Sequence, residues 1–214
     1  MTVIKEVDSS SEKENCMVGE NQKKTSVSDL FSISEVAPEL LLCGAAAVNE
    51  DSLKAAGGVA CVISAAPELP PPPLPPSPAS TVLRIPVLDT LNQDILTHLH
   101  RVADQINEVK CQGGRTLVHC VAGVSRSATL CLAYLIKYHN MSLRRAFNHL
   151  RSRRRCVRPN SHFFYQLIQF ELEVRGKTSV EMRHNMAARA IIPDVYEEDY
   201  IKTLHYQNRN IGRH

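Results

Sequence analysis

The sequence predicts an α/β domain with a mostly parallel central sheet flanked by helices. Short apolar runs bounded by turn residues alternate with longer amphipathic segments, and a series of helical segments follows them. The short runs are typical of buried strands, and the longer segments are typical of helices that cover a sheet. A length of 214 residues and a hydrophobic content of 43% fit a single domain with tails.

We predict three parts in the chain. Residues 1–28 are rich in Ser, Lys, Glu and Asn, lack apolar periodicity and are typical of a disordered tail. Residues 29–178 carry the predicted strands and helices of the domain. Residues 179–214 form a C-terminal extension, which we expect to pack partly on the domain through the apolar stretch 190–193.

The first half of the domain contains most of the predicted strands. The apolar runs 40–43 and 59–63 have the length and boundaries of buried strands. Asn49 can cap a short helix between them, which the glycines 57–58 end. Residues 81–87 resume β character.

The second half is mostly helical. An amphipathic helix, whose apolar residues are spaced by four and three positions, follows Asp94 as its natural N-cap. A strand at 115–118 leads into a long apolar helix at 127–138. Two further helices are predicted over 141–153 and 161–174, and together they complete the α/β pattern.

A proline-rich passage at residues 67–79 interrupts the domain. Proline has no N–H and a fixed φ, so we expect an exposed polyproline II segment rather than a helix or an inner strand. The segment is either a stiff surface loop or a ligand for an SH3 or WW domain. No Lys or Arg lies between Lys54 and Arg84 to orient an SH3 partner, which favours the surface loop.

Residues 118–127, Val-His-Cys-Val-Ala-Gly-Val-Ser-Arg-Ser, join the predicted strand to the long helix. Such a loop directs backbone N–H groups and the positive end of the helix dipole toward one point, where a phosphate fits. The same field favours the thiolate form of Cys120. Arg126 offers a planar fork of donors to two phosphate oxygens. Gly123 supplies the φ freedom of a tight loop, and the Ser127 hydroxyl is placed to reach the sulfur.

Composition excludes several other classes of protein. A net charge of +3, without a basic surface interleaved with aromatic residues, argues against nucleic acid as a partner. Seven cysteines without CxxC spacing argue against a disulfide framework or a zinc site. We therefore expect no metal and no cofactor, and a reducing compartment, cytoplasmic or nuclear. No stretch of the sequence is typical of a signal peptide or a membrane span.

The pattern His-Cys-x2-Gly-x2-Arg-Ser resembles the signature of the cysteine-dependent phosphatases. The stretches VHCVAGVSRSATLCLAYLIKYHNMSL, RPN and PDVYEE resemble the small atypical dual-specificity phosphatases, in particular the subgroup of dual specificity phosphatases 14, 18 and 21. The resemblance runs from about residue 33 to residue 200. It implies a cysteine-phosphatase-like fold and hydrolysis of phosphotyrosine and phosphoserine or phosphothreonine through a phosphocysteine.

The same resemblance implies roles for individual residues. Cys120 would be the nucleophile, Asp89 the general acid, and His119 the buried residue that orders the loop. Ser127 would help the thiolate to leave. The phosphate would bind to Val121, Ala122, Gly123, Val124, Ser125 and Arg126. The expected partners are phosphorylated proteins in kinase signalling, such as MAP kinases or their upstream regulators.

Three points stay open at this stage. Asp94 could also face Cys120, but helix capping already explains it, so Asp89 is the predicted acid. Residues 90–91 depart from the Met-Pro or Ser-Pro of relatives, so a catalytically weak phosphoprotein-binding module is one alternative. A phosphatase of a non-protein phosphate ester, such as a phosphoinositide, is another. The uncharged loop residues Val121, Ala122 and Val124 favour a phosphoprotein.

A run of arginines begins near the end of the predicted helix 141–153 and continues beyond it. The run either docks acidic phosphoproteins or forms a solvated helix end. Its members are Arg151, Arg153, Arg154, Arg155 and Arg158.

Overall fold

A five-stranded sheet forms the centre of the domain in the computed structural model, which describes residues 31–73 and 80–201. The strands are β1 (Ser34–Ala37), β2 (Leu40–Gly44), β3 (Val59–Ser64), β4 (Thr81–Arg84) and β5 (Arg115–Cys120). Their order across the sheet is β1-β2-β5-β3-β4, and β1 pairs with its neighbour antiparallel while the other pairs are parallel. The predicted mostly parallel sheet is confirmed. The predicted tail 1–28 and the predicted proline-rich residues 74–79 lie outside the described residues.

Helices cover both faces of the sheet. They are α1 (Glu50–Ala56), α2 (Leu96–Cys111), α3 (Arg126–Tyr138), α4 (Leu143–Arg153) and α5 (Ser161–Arg175). Helix α1 lies on one face, where Leu53 packs against Val62 and Leu117. The other four helices share the larger core on the opposite face. None of the helices in the described part of the chain is long and apolar enough to cross a bilayer.

Helix α3 is the central element of the larger core. Its residues from Arg126 to Ile136 are all buried, and it packs against α2, α4 and α5. It follows β5 directly across the loop at residues 121–125. The loop therefore lies at the carboxyl edge of the parallel sheet, where α/β proteins place their functional groups.

The predicted cap of α1 is confirmed, and both ends of α5 also have local caps. Asn49 accepts a hydrogen bond from the N–H of Ser52 at 2.8 Å and begins α1. Asn160 caps α5 in the same way, with its side chain accepting from the N–H of Phe163 at 2.9 Å. Gly176 ends that helix in the left-handed conformation at φ +69°. Side chains and backbone within three residues of each other decide these ends, so the sequence shows them.

The start of α2 differs from the prediction. The N-cap position is Ile95 rather than Asp94, although the Asp94 carboxylate still accepts from the N–H of Thr97 at 3.3 Å. Gln166 Oε1 accepts from the N–H groups of both Ile95 and Leu96 at 2.8 Å. A side chain from α5 therefore satisfies the first donors of α2, which no local pattern could indicate.

Four short strands also differ from the sequence prediction. Strand β1 was not predicted. The strand predicted over 81–87 ends at Arg84, and beyond it the N–H of Val87 donates to Ile85 O at 2.9 Å instead of pairing with β3. The C-terminal segment forms a hairpin of β6 (Met182–Asn185) and β7 (Ala190–Pro193). Ile192, on β7, is 3% exposed and belongs to the larger core.

Candidate active site

The loop between β5 and α3 requires glycine at one position. Gly123 has φ +70°, and a Cβ added there would lie 2.5 Å from the carbonyl carbon and oxygen of Cys43 on β2. Both the backbone conformation and the close approach exclude a side chain. The predicted need for glycine in this loop thus has a defined physical cause.

The carbonyl groups of residues 121–125 are all held by surrounding donors. Backbone N–H groups hold three of them: Ala45 N donates to Val121 O, Arg158 N to Val124 O and Thr129 N to Ser125 O, each at 2.9 Å. The Arg154 side chain holds the other two, with Nη2 donating to Ala122 O at 3.0 Å and Nε to Gly123 O at 2.9 Å. The C=O and N–H groups of a trans peptide point in opposite directions. The N–H groups of residues 122–126 are therefore turned to the inside of the loop, which is the arrangement of an anion site.

Cys120 lies at the base of this loop with its sulfur between two donors. Its side chain is 2% exposed, and Sγ accepts from the N–H of Gly123 at 3.3 Å and from the Ser127 hydroxyl at 3.1 Å. The structure thus brings Ser127 to the sulfur, as the sequence predicted.

The neighbouring buried cysteines have a different environment. Burial raises the pKa of Cys43 to about 12, even though the charge of Arg154 opposes the change. Burial also raises the pKa of Cys131, which is 0% exposed. Both groups remain thiols at neutral pH, so neither can replace Cys120 as a nucleophile.

Arg126 lies beside the loop with one edge of its guanidinium occupied. Nη1 is 2.7 Å from Glu68 Oε1 and 3.3 Å from the carbonyl oxygen of Val87. Nε is buried without a hydrogen-bond partner among the described residues, and it lies 3.9 Å from Asp89 Oδ2. The Nε edge is therefore left to bind an oxyanion.

Glu68 belongs to the proline-rich passage, so the described part of that passage reaches the site. Arg84 Nη2 donates to the carbonyl oxygens of Pro67 at 3.1 Å and Leu69 at 2.9 Å, on either side of Glu68. Burial alone would raise the pKa of Glu68, but a backbone hydrogen bond at Glu68 and the Arg126 guanidinium lower it below its usual range. The predicted surface loop therefore contacts the site through Glu68, and the sequence did not predict this contact.

Asp89 contacts the loop directly. Its Oδ1 accepts from the Ser125 hydroxyl at 2.8 Å and from Asn160 Nδ2 at 2.8 Å. The backbone N–H of Asn160 also donates to the Ser125 hydroxyl at 3.1 Å. Asp94, by contrast, caps the start of α2. Asn160 was not predicted as a site residue; its only sequence signal is its place in the stretch Arg-Pro-Asn.

His119 is buried directly behind the nucleophile position. Burial lowers the pKa of its imidazole below the usual range, so the ring is neutral at pH 7. Nδ1 lies 3.4 Å from the carbonyl oxygen of Cys120, which makes Nδ1 the protonated nitrogen in this arrangement. The contact ties the end of β5 to the start of the loop.

The members of the arginine run differ in their surroundings, and Arg153 and Arg155 are exposed. Arg154 is 1% exposed and lies under the phosphate-binding loop, so for this residue both a docking surface and a solvated helix end are wrong. Arg151 and Arg158 both pair with Asp199, at 2.7 and 2.9 Å. Sequence alone could not show this because the partners lie far along the chain.

Comparison with known proteins decides the family. The family described as "Dual specificity phosphatase, catalytic domain" matches residues 40–173, which is more than half of the chain. The chain belongs to the dual specificity phosphatase family. This dual-specificity phosphatase is therefore a hydrolase of the protein-tyrosine-phosphatase type, and its substrates are phosphorylated proteins.

Curated relatives place the phosphatase near the predicted subgroup. Mouse dual specificity protein phosphatase 14 is 41% identical over 171 residues, which cover 80% of this chain and 84% of the relative. Mouse dual specificity protein phosphatase 18 is 38% identical over 173 residues, which cover 78% of this chain and 86% of the relative. Human dual specificity protein phosphatase 21 is 35% identical over 176 residues, which cover 79% of this chain and 87% of the relative. The predicted resemblance to the atypical enzymes is confirmed.

Solved structures support the fold of the phosphatase. Human DUSP28 is 34% identical with a TM-score of 0.61, and the match covers 67% of this chain and 95% of that one. A mouse protein solved as a dual specificity phosphatase complexed with zinc tungstate is 33% identical with a TM-score of 0.61, covering 67% and 89%. Human tyrosine phosphatase-like serine/threonine/tyrosine-interacting protein is 26% identical with a TM-score of 0.61, covering 66% and 96%.

Proposed function

We propose that this phosphatase hydrolyses phosphotyrosine and phosphoserine or phosphothreonine in proteins through a phosphocysteine formed on Cys120. One observation carries the proposal. The Cys120 sulfur, the inward N–H groups of the loop, the free Nε edge of Arg126 and the Asp89 carboxylate surround a single point. A phosphate at that point would meet a nucleophile, oxyanion donors and a proton donor together.

In the first step, the Cys120 thiolate attacks phosphorus and the bond from phosphorus to the side-chain oxygen of the substrate breaks. Asp89 gives its proton to that leaving oxygen and becomes a carboxylate. Its Oδ1 accepts two hydrogen bonds, so Oδ2 is the oxygen that carries the proton. The step leaves a phosphocysteine and a dephosphorylated protein.

In the second step, water attacks the phosphocysteine. The Asp89 carboxylate takes a proton from that water, the bond from sulfur to phosphorus breaks, and inorganic phosphate leaves. The Ser127 hydroxyl, which donates to Sγ at 3.1 Å, stabilises the thiolate as it departs. Asp89 is then protonated again and Cys120 is again a thiolate, so the enzyme is back in its starting state.

The loop and Arg126 stabilise the transition states of both steps electrostatically. The N–H groups of residues 122–126 and the Nε edge of Arg126 bind the three equatorial oxygens as charge redistributes. These donors are held in place before substrate binds, because surrounding groups already occupy the loop carbonyls. Tungstate is a tetrahedral oxyanion like phosphate, so the mouse neighbour complexed with zinc tungstate supports an oxyanion site in this fold.

The charges at the mouth favour a phosphoprotein over a phosphoinositide. The loop side chains Val121, Ala122 and Val124 are uncharged, and Glu68 adds a carboxylate beside Arg126. A headgroup with several phosphates would bring more negative charge near this carboxylate than a single phosphorylated side chain does. Exposed Leu88 lies next to Asp89, which gives the rim apolar character.

We propose MAP kinases or their upstream regulators as substrates, within kinase signalling, on the strength of the family resemblance. An SH3 or WW partner for the proline-rich passage and a cytoplasmic or nuclear location remain proposals as well; a thiolate nucleophile requires a reducing compartment. Substrate trapping from cell lysate with Asp89→Ala tests the substrate proposal. Recovery of the same proteins by Asp89→Ala carrying Arg126→Ala would contradict it.

A catalytically weak phosphoprotein-binding module is the second candidate. One structural neighbour is a human protein named as tyrosine phosphatase-like, and residues 90–91 of this chain depart from the pattern of active relatives. The direct contact between Asp89 and Ser125 favours the enzyme, because it holds the acid at the loop.

Turnover of p-nitrophenyl phosphate separates the two candidates. We expect turnover by the wild-type chain that Cys120→Ser abolishes, competitive inhibition by vanadate, and no effect of EDTA. Cys111→Ser is the matched control, since Cys111 is an exposed cysteine at the end of α2. Vanadate binding without turnover by the wild type would support the binding module, and turnover that survives Cys120→Ser would exclude the proposed mechanism.

A further inference from the structure

A buried arginine lies under the phosphate-binding loop. Arg154 is the residue that follows α4, and only 1% of its surface is exposed. Its guanidinium bridges two parts of the chain. Nε donates to Gly123 O at 2.9 Å and Nη2 to Ala122 O at 3.0 Å, while Nη1 donates to Ser32 O at 3.0 Å and approaches Ser34 Oγ at 3.3 Å.

The two loop carbonyls that Arg154 binds are successive. The carbonyl of Ala122 belongs to the same peptide group as the N–H of Gly123, and the carbonyl of Gly123 to the same group as the N–H of Val124. None of the peptide bonds in the described residues is cis, so each bound carbonyl directs its partner N–H into the loop. The N–H of Gly123 does reach the Cys120 sulfur, at 3.3 Å.

We propose that Arg154 is a positioning residue for the phosphatase reaction, holding the N–H groups of Gly123 and Val124 toward the phosphate. The inference rests on the proposed function and adds a residue to it. A guanidinium is suited to this role because its planar fork presents Nε and Nη2 to two neighbouring acceptors at once. A lysine in its place could bind only one carbonyl with good geometry at a time.

Three other arginines of the run are placed differently. Arg151 and Arg158 pair with Asp199 through their side chains. Arg158 contacts the loop only through its backbone N–H, on Val124 O, which a substitution of its side chain preserves. Arg153 lies on the exposed end of α4. Arg153 therefore provides a control for charge and for position along the chain.

The test compares four variants of the full chain: Arg154→Met, Arg154→Lys, Arg153→Met and Leu53→Ala. Leu53 is buried against the opposite face of the sheet, so its truncation lowers stability without touching the loop. The measurements are the dissociation constant for vanadate, kcat and KM for p-nitrophenyl phosphate, and the melting temperature.

We expect Arg154→Met to weaken vanadate binding at least tenfold and to lower kcat/KM by more than it raises KM, because the N–H groups act on both the bound oxyanion and the transition state. Arg154→Lys should fall between Arg154→Met and the wild type. Arg153→Met and Leu53→Ala should bind vanadate as the wild type does, even where Leu53→Ala melts at a lower temperature.

An Arg154→Met variant that melts early but binds vanadate and turns over like Leu53→Ala would overturn the inference, since Arg154 would then serve folding alone. Where Arg154→Met does not fold, Arg154→Lys decides: weaker vanadate binding supports positioning and wild-type binding refutes it. Failure of the proposed function has a different signature, namely a wild-type chain without Cys120-dependent turnover.

Discussion

The Ser125 hydroxyl donates a hydrogen bond to Asp89 Oδ1 at 2.8 Å, which joins the phosphate-binding loop to the predicted general acid. Asn160 supports the same oxygen from α5 at 2.8 Å. Asp89 comes from the segment after β4, so three separate parts of the chain meet at one carboxylate. Hydrogen bonds from two of these parts therefore hold the Asp89 carboxylate at the loop.

Asp89→Asn should lower kcat by about 10²–10⁴, the usual contribution of a general acid. The loss should be largest for phosphate esters with poor leaving groups, because those leaving oxygens need the proton most. Asp94→Asn is the control, and it should leave kcat nearly unchanged while costing at most about 1 kcal/mol of stability through its cap on Thr97. A large loss of kcat in Asp94→Asn together with a nearly unchanged kcat in Asp89→Asn would show that Asp94 is the acid.

Ser127→Ala should separate the two chemical steps. The variant lacks the hydroxyl that donates to Sγ at 3.1 Å, so the thiolate becomes a poorer leaving group in the second step. Stopped-flow assays with p-nitrophenyl phosphate should show a burst of nitrophenol followed by slow turnover. Equal slowing of the burst and of the steady phase would contradict this role for Ser127.

Removal of residues 70–76, bridged by a short Gly/Ser linker, should lower the melting temperature by less than about 10 °C. Residues Pro70 and Pro71 are exposed, and the contacts of the passage with Arg126 and Arg84 come from residues 67–69. A deletion extended to residue 67 should cost more, since it also removes Glu68. A fall above about 10 °C for the shorter deletion would show that the prolines pack.

Glu39 should make stability depend on acid pH. Burial alone would raise its pKa, but hydrogen bonds from Tyr134, His139 and Lys110 lower it from 4.5 to about 2. A carboxylate with a lowered folded-state pKa contributes its stability fully above pH 4.5 and loses it as the pH falls toward 2. The contribution at pH 7 is about 3 kcal/mol by this shift.

Urea unfolding at pH 7 and pH 3 checks the contribution of Glu39. Glu39→Gln should be clearly less stable than the wild type at pH 7, and the difference should shrink at pH 3. Glu50→Gln is the control, because the Glu50 carboxylate is exposed and lies 3.8 Å from Lys54; it should change little at either pH. An equal difference for Glu39→Gln at both pH values would refute the proposed dependence.

Local patterns predicted much of the fold and the centre of the site. The apolar run after β5 indicated α3, and the spacing around Cys120 indicated the loop with Arg126 and Ser127. These signals depend on residues within one turn or one loop. The start of α2 was one residue off because Gln166, 71 positions from Ile95, satisfies its donors.

The contacts that the sequence did not reveal join residues that are far apart in the chain. Glu68 and Arg126 are 58 positions apart, and Arg154 and Gly123 are 31 apart. Hydrophobic periodicity indicates which face of a helix or strand is buried. It does not indicate which polar side chain from a distant part of the chain contacts that face. An arginine near a helix end is normally solvated, so the burial of Arg154 became visible only with the fold.

Trapping of the phosphoenzyme tests the central claim most directly. Ser127→Ala would be mixed with a ³²P-labelled phosphotyrosine peptide and quenched with acid within the burst, and the labelled fragment would be identified. We predict label on the fragment that contains Cys120, and no label in the same variant carrying Cys120→Ser. Hydrolysis of the peptide without label on Cys120 would contradict a phosphocysteine intermediate.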